Sequence, residues 1–176
     1  MASVPAPFVG LDLPDSVLNA VKNRPAEDVA LAILRRGLPG MPIYALIPKS
    51  TPDSFIVVRD VPELGNPQEV PGLLHQADFT VHCYAQDPEG DEKAALIGDA
   101  VVTIMDRAFR EHWVLKDPQG NDIGSVNKIW CQQYPAREPD WATSSGPVQY
   151  ADLPTGDWRY EARFRARINT PRVLAD

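Results

Sequence analysis

The chain has 176 residues, of which 44% are hydrophobic and 23% charged, the balance of a single globular domain and not of a disordered chain. Seventeen Lys and Arg against twenty-four Asp and Glu leave a net charge of −7, opposite in sign to a free-standing nucleic-acid binder. Eighteen prolines, roughly twice the usual share, favour stiff extended connections over long helices.

Residues 1–24 are proline-punctuated and read as an N-terminal extension with one helical turn around Ser16–Lys22. They lack the basic start and continuous apolar core of a signal peptide. A clearer helix is predicted at Pro25–Arg36. Pro25 suits the first position, Glu27 and Asp28 the positive end, Arg35 and Arg36 the negative end, and Gly37 the stop. Its buried stripe reads as Val29, Ala32, Ile33 and Arg36. Two short strands follow, Ile43–Ile47 and Ser54–Arg59, and the intervening KSTPD has the length and turn chemistry of a hairpin. Residues 61–76 hold Pro62, Pro67 and Pro71 and read as a projecting loop.

Asp78–Ala85 alternates as a strand, with Phe79, Val81 and Cys83 on one face and Thr80, His82 and Tyr84 on the other. A longer helix over 87–111 carries the apolar series Ile97, Val101, Ile104, Met105 and Ala108. Asp117-Pro118-Gln119-Gly120 is a turn, and Ile123–Tyr134 is a further strand. Residues 135–156 form a second projecting loop, which carries Trp141. The last strand, Trp158–Asn169, alternates most regularly: Trp158, Tyr160, Ala162, Phe164, Ala166 and Ile168 face one way. Arg159, Glu161, Arg163, Arg165, Arg167 and Asn169 face the other. Two helices are too few to cover both faces of a parallel sheet. The expectation is one α+β domain, a mostly antiparallel sheet of about five strands with both helices on one face.

Catalytic signatures are absent. The sequence holds no Gly-rich phosphate loop, no H-E-x-x-H, no paired C-x-x-C and no G-x-S-x-G. His82 and Cys83 are adjacent in a strand and point to opposite faces, which separates base from nucleophile. His75 and His112 have no acidic or cysteine partners at metal spacing. No catalytic residue, cofactor-binding residue or metal ligand is therefore assigned. Cys83 and Cys131 read as free thiols of a protein assembled in a reducing cytoplasm. Trp130 and Trp158, in strands, read as core, while Trp141, in a loop, suits an intersubunit anchor. The row Arg159, Arg163, Arg165 and Arg167 is either a solvated sheet face or an electrostatic contact surface for acidic groups.

The run PIYALIPKSTPDSFIVVRDVPE, followed by ADFTVHCYAQDPEGDEKAALIGDAVVTIMDRA, resembles the tail terminator proteins of long-tailed phages. The shared texture is a proline-flanked strand pair, then a strand that leads directly into a helix. The closing WRYEARFRARI is similar to the C-terminal strand of such proteins from phages of actinobacteria. The resemblance covers most of residues 25–169 and implies a small α+β subunit without active-site residues. It implies a virion location, in a homo-oligomeric, hexameric ring at the head-proximal end of the tail tube. That ring stops tube growth at the length set by the tape measure protein and offers a surface to the head–neck connector. The implied partners are copies of the chain, the major tail tube protein and the connector, with DNA only passing through the lumen and no membrane. A neck or tail-completion protein of similar fold is the alternative within this class. A small cytosolic enzyme, with a pocket between the sheet and the two loops, is the alternative from another class.

Overall fold

In the computed structural model, which describes residues 25–61, 74–138 and 157–169, the elements run α1 (Ala26–Gly37), β1 (Ile43–Tyr44), β2 (Ser54–Asp60), β3 (Leu74–Gln86), α2 (Gly90–Arg110), β4 (Val114–Lys116), β5 (Asp122–Arg137) and β6 (Asp157–Asn169). The strands form one sheet of six in the order β1-β2-β3-β6-β5-β4. All neighbours are antiparallel except β1 and β2. The α+β class is the expected one, with six strands in place of about five. The additional strand is β4, which pairs with β5 across the Asp117–Gly120 turn. Gly120 holds φ +87° there, a left-handed backbone that side chains disfavour. Asp117 Oδ1 fastens the turn by accepting from the backbone N–H of Gln119 at 3.0 Å and of Asn121 at 2.8 Å.

The centre of the sheet is the β3–β6 pair, in unbroken register from Leu74 opposite Asn169 to Gln86 opposite Asp157. Phe79, Val81 and Cys83 from β3 and Ala162, Phe164, Ala166 and Ile168 from β6 are buried on one side, with Phe79 and Phe164 stacked at 5.9 Å. Helix α2 lies across β3, β5 and β6 on that side and buries Ala94, Ile97, Val101, Met105 and Ala108. Ile104, the remaining member of its predicted stripe, is half-buried. Gly98 sets the depth of this contact, because a Cβ there would lie 2.7 Å from Pro135 Cβ on β5. The helix ends where His112 takes the left-handed conformation, φ 47°, and the Trp113 N–H reaches back to the Ala108 carbonyl at 3.1 Å.

Helix α1 covers β2 and β3 beside α2. It starts one residue later than predicted, with Pro25 as its cap. Its buried stripe is also wider, taking in Ala26, Ala30, Leu31 and Leu34 with Val29 and Ile33. Arg36 is not part of that stripe; its guanidinium lies over the Trp113 ring, 4.2 Å from the centroid.

The expected hairpin between the first two strands is not formed. Ile43 and Tyr44 run parallel to Ile56 and Val57, and the Ile56 N–H donates to the Pro42 carbonyl at 2.9 Å. Pro48 and Pro52 cannot donate to a ladder, and Tyr44 and Ile47 instead cross to the other sheet face. They cover Phe55, Val57 and Tyr84 there, with Phe55 and Tyr84 stacked at 4.6 Å. The N-terminal extension and Trp141 lie outside the described residues, as do most of the two predicted loops. Of the described parts of those loops, Leu74–Gln76 and Pro135–Arg137 are strand, while Val61 and Glu138 lie just past strand ends. Among the described residues no helix is long and apolar enough to cross a membrane.

The inward face of α2 is directly testable. Met105→Ala should destabilise the fold by about 2–5 kcal/mol through a core cavity, whereas Leu96→Ala, on the exposed side, should stay within about 0.5 kcal/mol. Chemical denaturation of both variants checks this, and equal losses would mean that the helix faces are reversed.

Candidate interaction surface

The alternation of β6 and its register with β3 fix what lies on the sheet face away from the helices. Opposite one another stand Gln76 and Arg167, Asp78 and Arg165, Thr80 and Arg163, His82 and Glu161, and Tyr84 and Arg159. Such directly opposed side chains interact across the ladder. Arg165 grips Asp78 through two parallel bonds, Nε to Oδ1 at 2.7 Å and Nη2 to Oδ2 at 2.8 Å. The fork geometry matches the carboxylate and orients both groups. Arg163 Nε donates to Glu161 Oε1 at 2.9 Å along the strand. Arg159 Nη2 reaches Glu138 Oε2 at 3.3 Å, just beyond the end of β5.

The row is thus neither a uniform solvated face nor a free comb of cations. Arg159 is buried, with a side chain only 4% exposed, while Arg165 is partly covered and Arg163 is 54% exposed. Arg167 is half-buried and extends over the Trp130 ring at 5.6 Å, with Lys128 on the same ring at 4.8 Å. Trp130 is therefore not core, as the sequence suggested, but half-buried on the face away from the helices. A β-bulge between Val126 and Lys128 sets the facing of this part of β5. Val126 points into the core, and the extra residue shifts the phase so that Ile129 and Cys131 point inward after it. A parity count started at Val126 would wrongly place Lys128 and Trp130 inside.

On this face Arg59, Lys128, Arg159, Arg163, Arg165 and Arg167 stand against Asp78, Glu138, Asp157 and Glu161, six cations against four carboxylates. The face is net positive on a chain whose total charge is −7. Sequence reasoning found four of the cations from the alternation of β6. Lys128 and Arg59 were not found because they lie in other strands, and Trp130 was read as core because large aromatic residues in strands are usually buried.

His82 sits in the middle of this layer. Burial first, then the neighbouring Arg159 charge, lower its pKa to about 4, against an opposing pull from Glu161. It is neutral at pH 7, so the 3.6 Å approach of Nδ1 to Glu161 is not an ion pair under those conditions. Cys83, on the core side, has its thiol pushed up to about 12 by burial. The base and the thiol are on opposite faces, and the thiol is held protonated, so the two form no nucleophilic pair.

A cavity of about 820 Å³ lies elsewhere, between α1 and the β4–β5 turn, among Leu31, Ala32, Val114 and Ile123. Several of its charged groups have structural roles: Arg35 donates to the Ile43 carbonyl, Arg36 to the Val114 carbonyl, and Asp117 holds the turn. No group of three or more His, Cys, Asp or Glu at metal-binding distance occurs among the described residues.

The fold and this face define a two-layer α+β protein with a charged, partly self-neutralised sheet surface opposite its helices. The sequence matches no known protein family and no curated protein. Among solved structures it is similar to a chain from the virion of a native gene transfer agent particle. That chain is 16% identical, with a TM-score of 0.44, over 89% of this chain and 99% of the other. A second solved chain, 9% identical with a TM-score of 0.37, is matched over 93% of this chain and 99% of its own.

Two outcomes follow from the ion pairs and the buried histidine. Arg165→Ala leaves the buried Asp78 carboxylate short of two donors and should destabilise by about 1–3 kcal/mol. Arg163→Ala, at an exposed position, should change stability by no more than about 1 kcal/mol. Equal effects in urea titrations would refute the ranking. For His82 the unfolded chain binds a proton more readily than the folded one between pH 6.5 and about 4. Stability must therefore fall as pH drops through that window. His82→Gln should flatten the corresponding part of a melting-temperature profile, and an unchanged slope would mean that His82 is not buried as described.

Proposed function

We propose that this chain is a structural subunit of a phage-type virion, a tail terminator that closes the head-proximal end of the tail tube as a hexameric ring. The carrying observation is spatial: the segments that bear the resemblance to tail terminators are contiguous in the fold. Residues 42–63 contribute β1 and β2, residues 77–108 most of β3 and α2, and residues 158–168 most of β6. Strands β1, β2, β3 and β6 are consecutive neighbours in the sheet, and α2 crosses β3 and β6. The resemblance therefore coincides with a structural unit and not with scattered turns.

The net charge of −7 suits a ring that lets DNA pass without gripping its phosphates. On this reading the chain works by assembly and not by catalysis. Its partners are copies of itself, the tail tube protein and the connector. Of the predicted contact residues, Arg163 is the most open to a partner, with its side chain 54% exposed, whereas Arg159 is buried against Glu138. Trp141 remains a proposed anchor.

The test is to add the purified chain to polymerising tail tube protein and image the products by electron microscopy. Ring-shaped caps at one end, with tube growth arrested, are the expected result. Uncapped tubes of unchanged length would overturn the terminator role. Rings that bind the connector alone would assign the chain to the neck.

A further inference from the structure

The outward side of α2 carries Leu96, 60% exposed, on one stripe with the exposed Glu92 four residues before it and the exposed Asp99 three residues after. The far side of the sheet carries the half-buried Trp130, with Lys128 and Arg167 over its ring. One patch is thus an apolar centre flanked by Glu92 and Asp99, where the neighbouring Lys93 is paired back to Glu89 at 3.4 Å, and the other an aromatic centre rimmed by cations. Helix α2 packs on the sheet with its opposite side, so the two patches face away from each other across the thickness of the fold. A single molecule cannot bring them together.

We infer that the Glu92–Leu96–Asp99 stripe of one copy docks on the Lys128–Trp130–Arg167 patch of the next. The occupant is a second copy because the complementary patch in both charge and apolar centre is present on the same chain. Tryptophan and arginine are the residue types that most often anchor protein contacts. Two different patches on opposite layers make a head-to-tail contact, which closes into a ring when the rotation between copies allows and runs on as a filament when it does not. The inference rests on the ring reading above and names the surfaces that would build the ring. Each rim pair contributes little alone, so the test reverses whole rims.

Two double variants are made in the full chain, Lys128→Glu with Arg167→Glu, and Glu92→Lys with Asp99→Lys. The assembly state is read by light scattering and the fold by circular dichroism. Each double variant should remain folded and need about tenfold or more protein to assemble. In a 1:1 mixture every junction again pairs opposite charges, so assemblies should return and contain both variants equally. The chain with all four reversals should assemble alone. Double variants that assemble like the parent, or a mixture and a fourfold variant that stay dissociated, would overturn the docking surfaces. A parent chain that stays monomeric would overturn both the surfaces and the ring. Rescued rings that leave tail tubes uncapped would keep the surfaces and remove the tail role.

Discussion

Two strands of thirteen residues, β3 and β6, meet in the middle of the sheet without a single bulge, and the remaining architecture answers to that constraint. A side-chain period of two means that unbroken register locks every residue of both strands to one face. A slip of β6 by one position against β3 would send Phe164 toward the charged face and drive Arg163 and Arg165 under α2. The charges reinforce the choice. Only the observed register sets Asp78 directly across from Arg165, where the guanidinium can take both carboxylate oxygens. Apolar burial on one side and paired charge on the other thus select the same alignment.

That alignment makes the charged face partly dry. Asp78, His82, Arg159 and Glu161 are all buried, although no helix among the described residues lies over them. Arginine stems lying along the sheet exclude water while their heads reach carboxylates. A histidine in such a layer cannot easily take a proton, because its neighbours include Arg159, Arg163 and Arg59 as well as Glu161. Its neutrality follows first from lost hydration and then from the crowding of cations.

The sequence was legible wherever periodicity ran unbroken. β6 could be read face by face because its apolar and charged residues alternate from Trp158 to Asn169. The inward series of α2 was visible in the spacing of Ile97, Val101, Met105 and Ala108. What stayed hidden was non-local. β4 has three residues and gains its ladder only from β5, and of the strand predicted at Ile43–Ile47 only Ile43 and Tyr44 pair, parallel to β2. The parallel pairing of β1 with β2 depends on Tyr44 and Ile47 finding Phe55 and Tyr84 on the far face, which turn chemistry cannot reveal. Trp130 was misplaced because its apolar bulk suggested burial, while its ring instead lies under Lys128 and Arg167 on the charged face. The arginine row was found, but not its partners, since Asp78 and Glu138 lie in other parts of the chain.

A layered fold with different chemistry on its two outer faces has a direction, and direction restricts how copies can meet. Like faces repel here: six cations against four carboxylates on the sheet side oppose a twofold pairing of sheet on sheet, and the surplus of carboxylates along the outward side of α2 opposes helix on helix. Head-to-tail contact avoids both repulsions. In an open head-to-tail chain the end copies are held by one junction, whereas in a closed ring every copy is held by two. Junctions built from a small apolar centre and exposed ion pairs are individually weak, so an open arc should exchange subunits readily and a closed ring should not. Closure, and not the strength of any one contact, then makes the assembly durable. On the proposed reading this is the property required of a cap that must form late, at one end of a finished tube, and then stay in place.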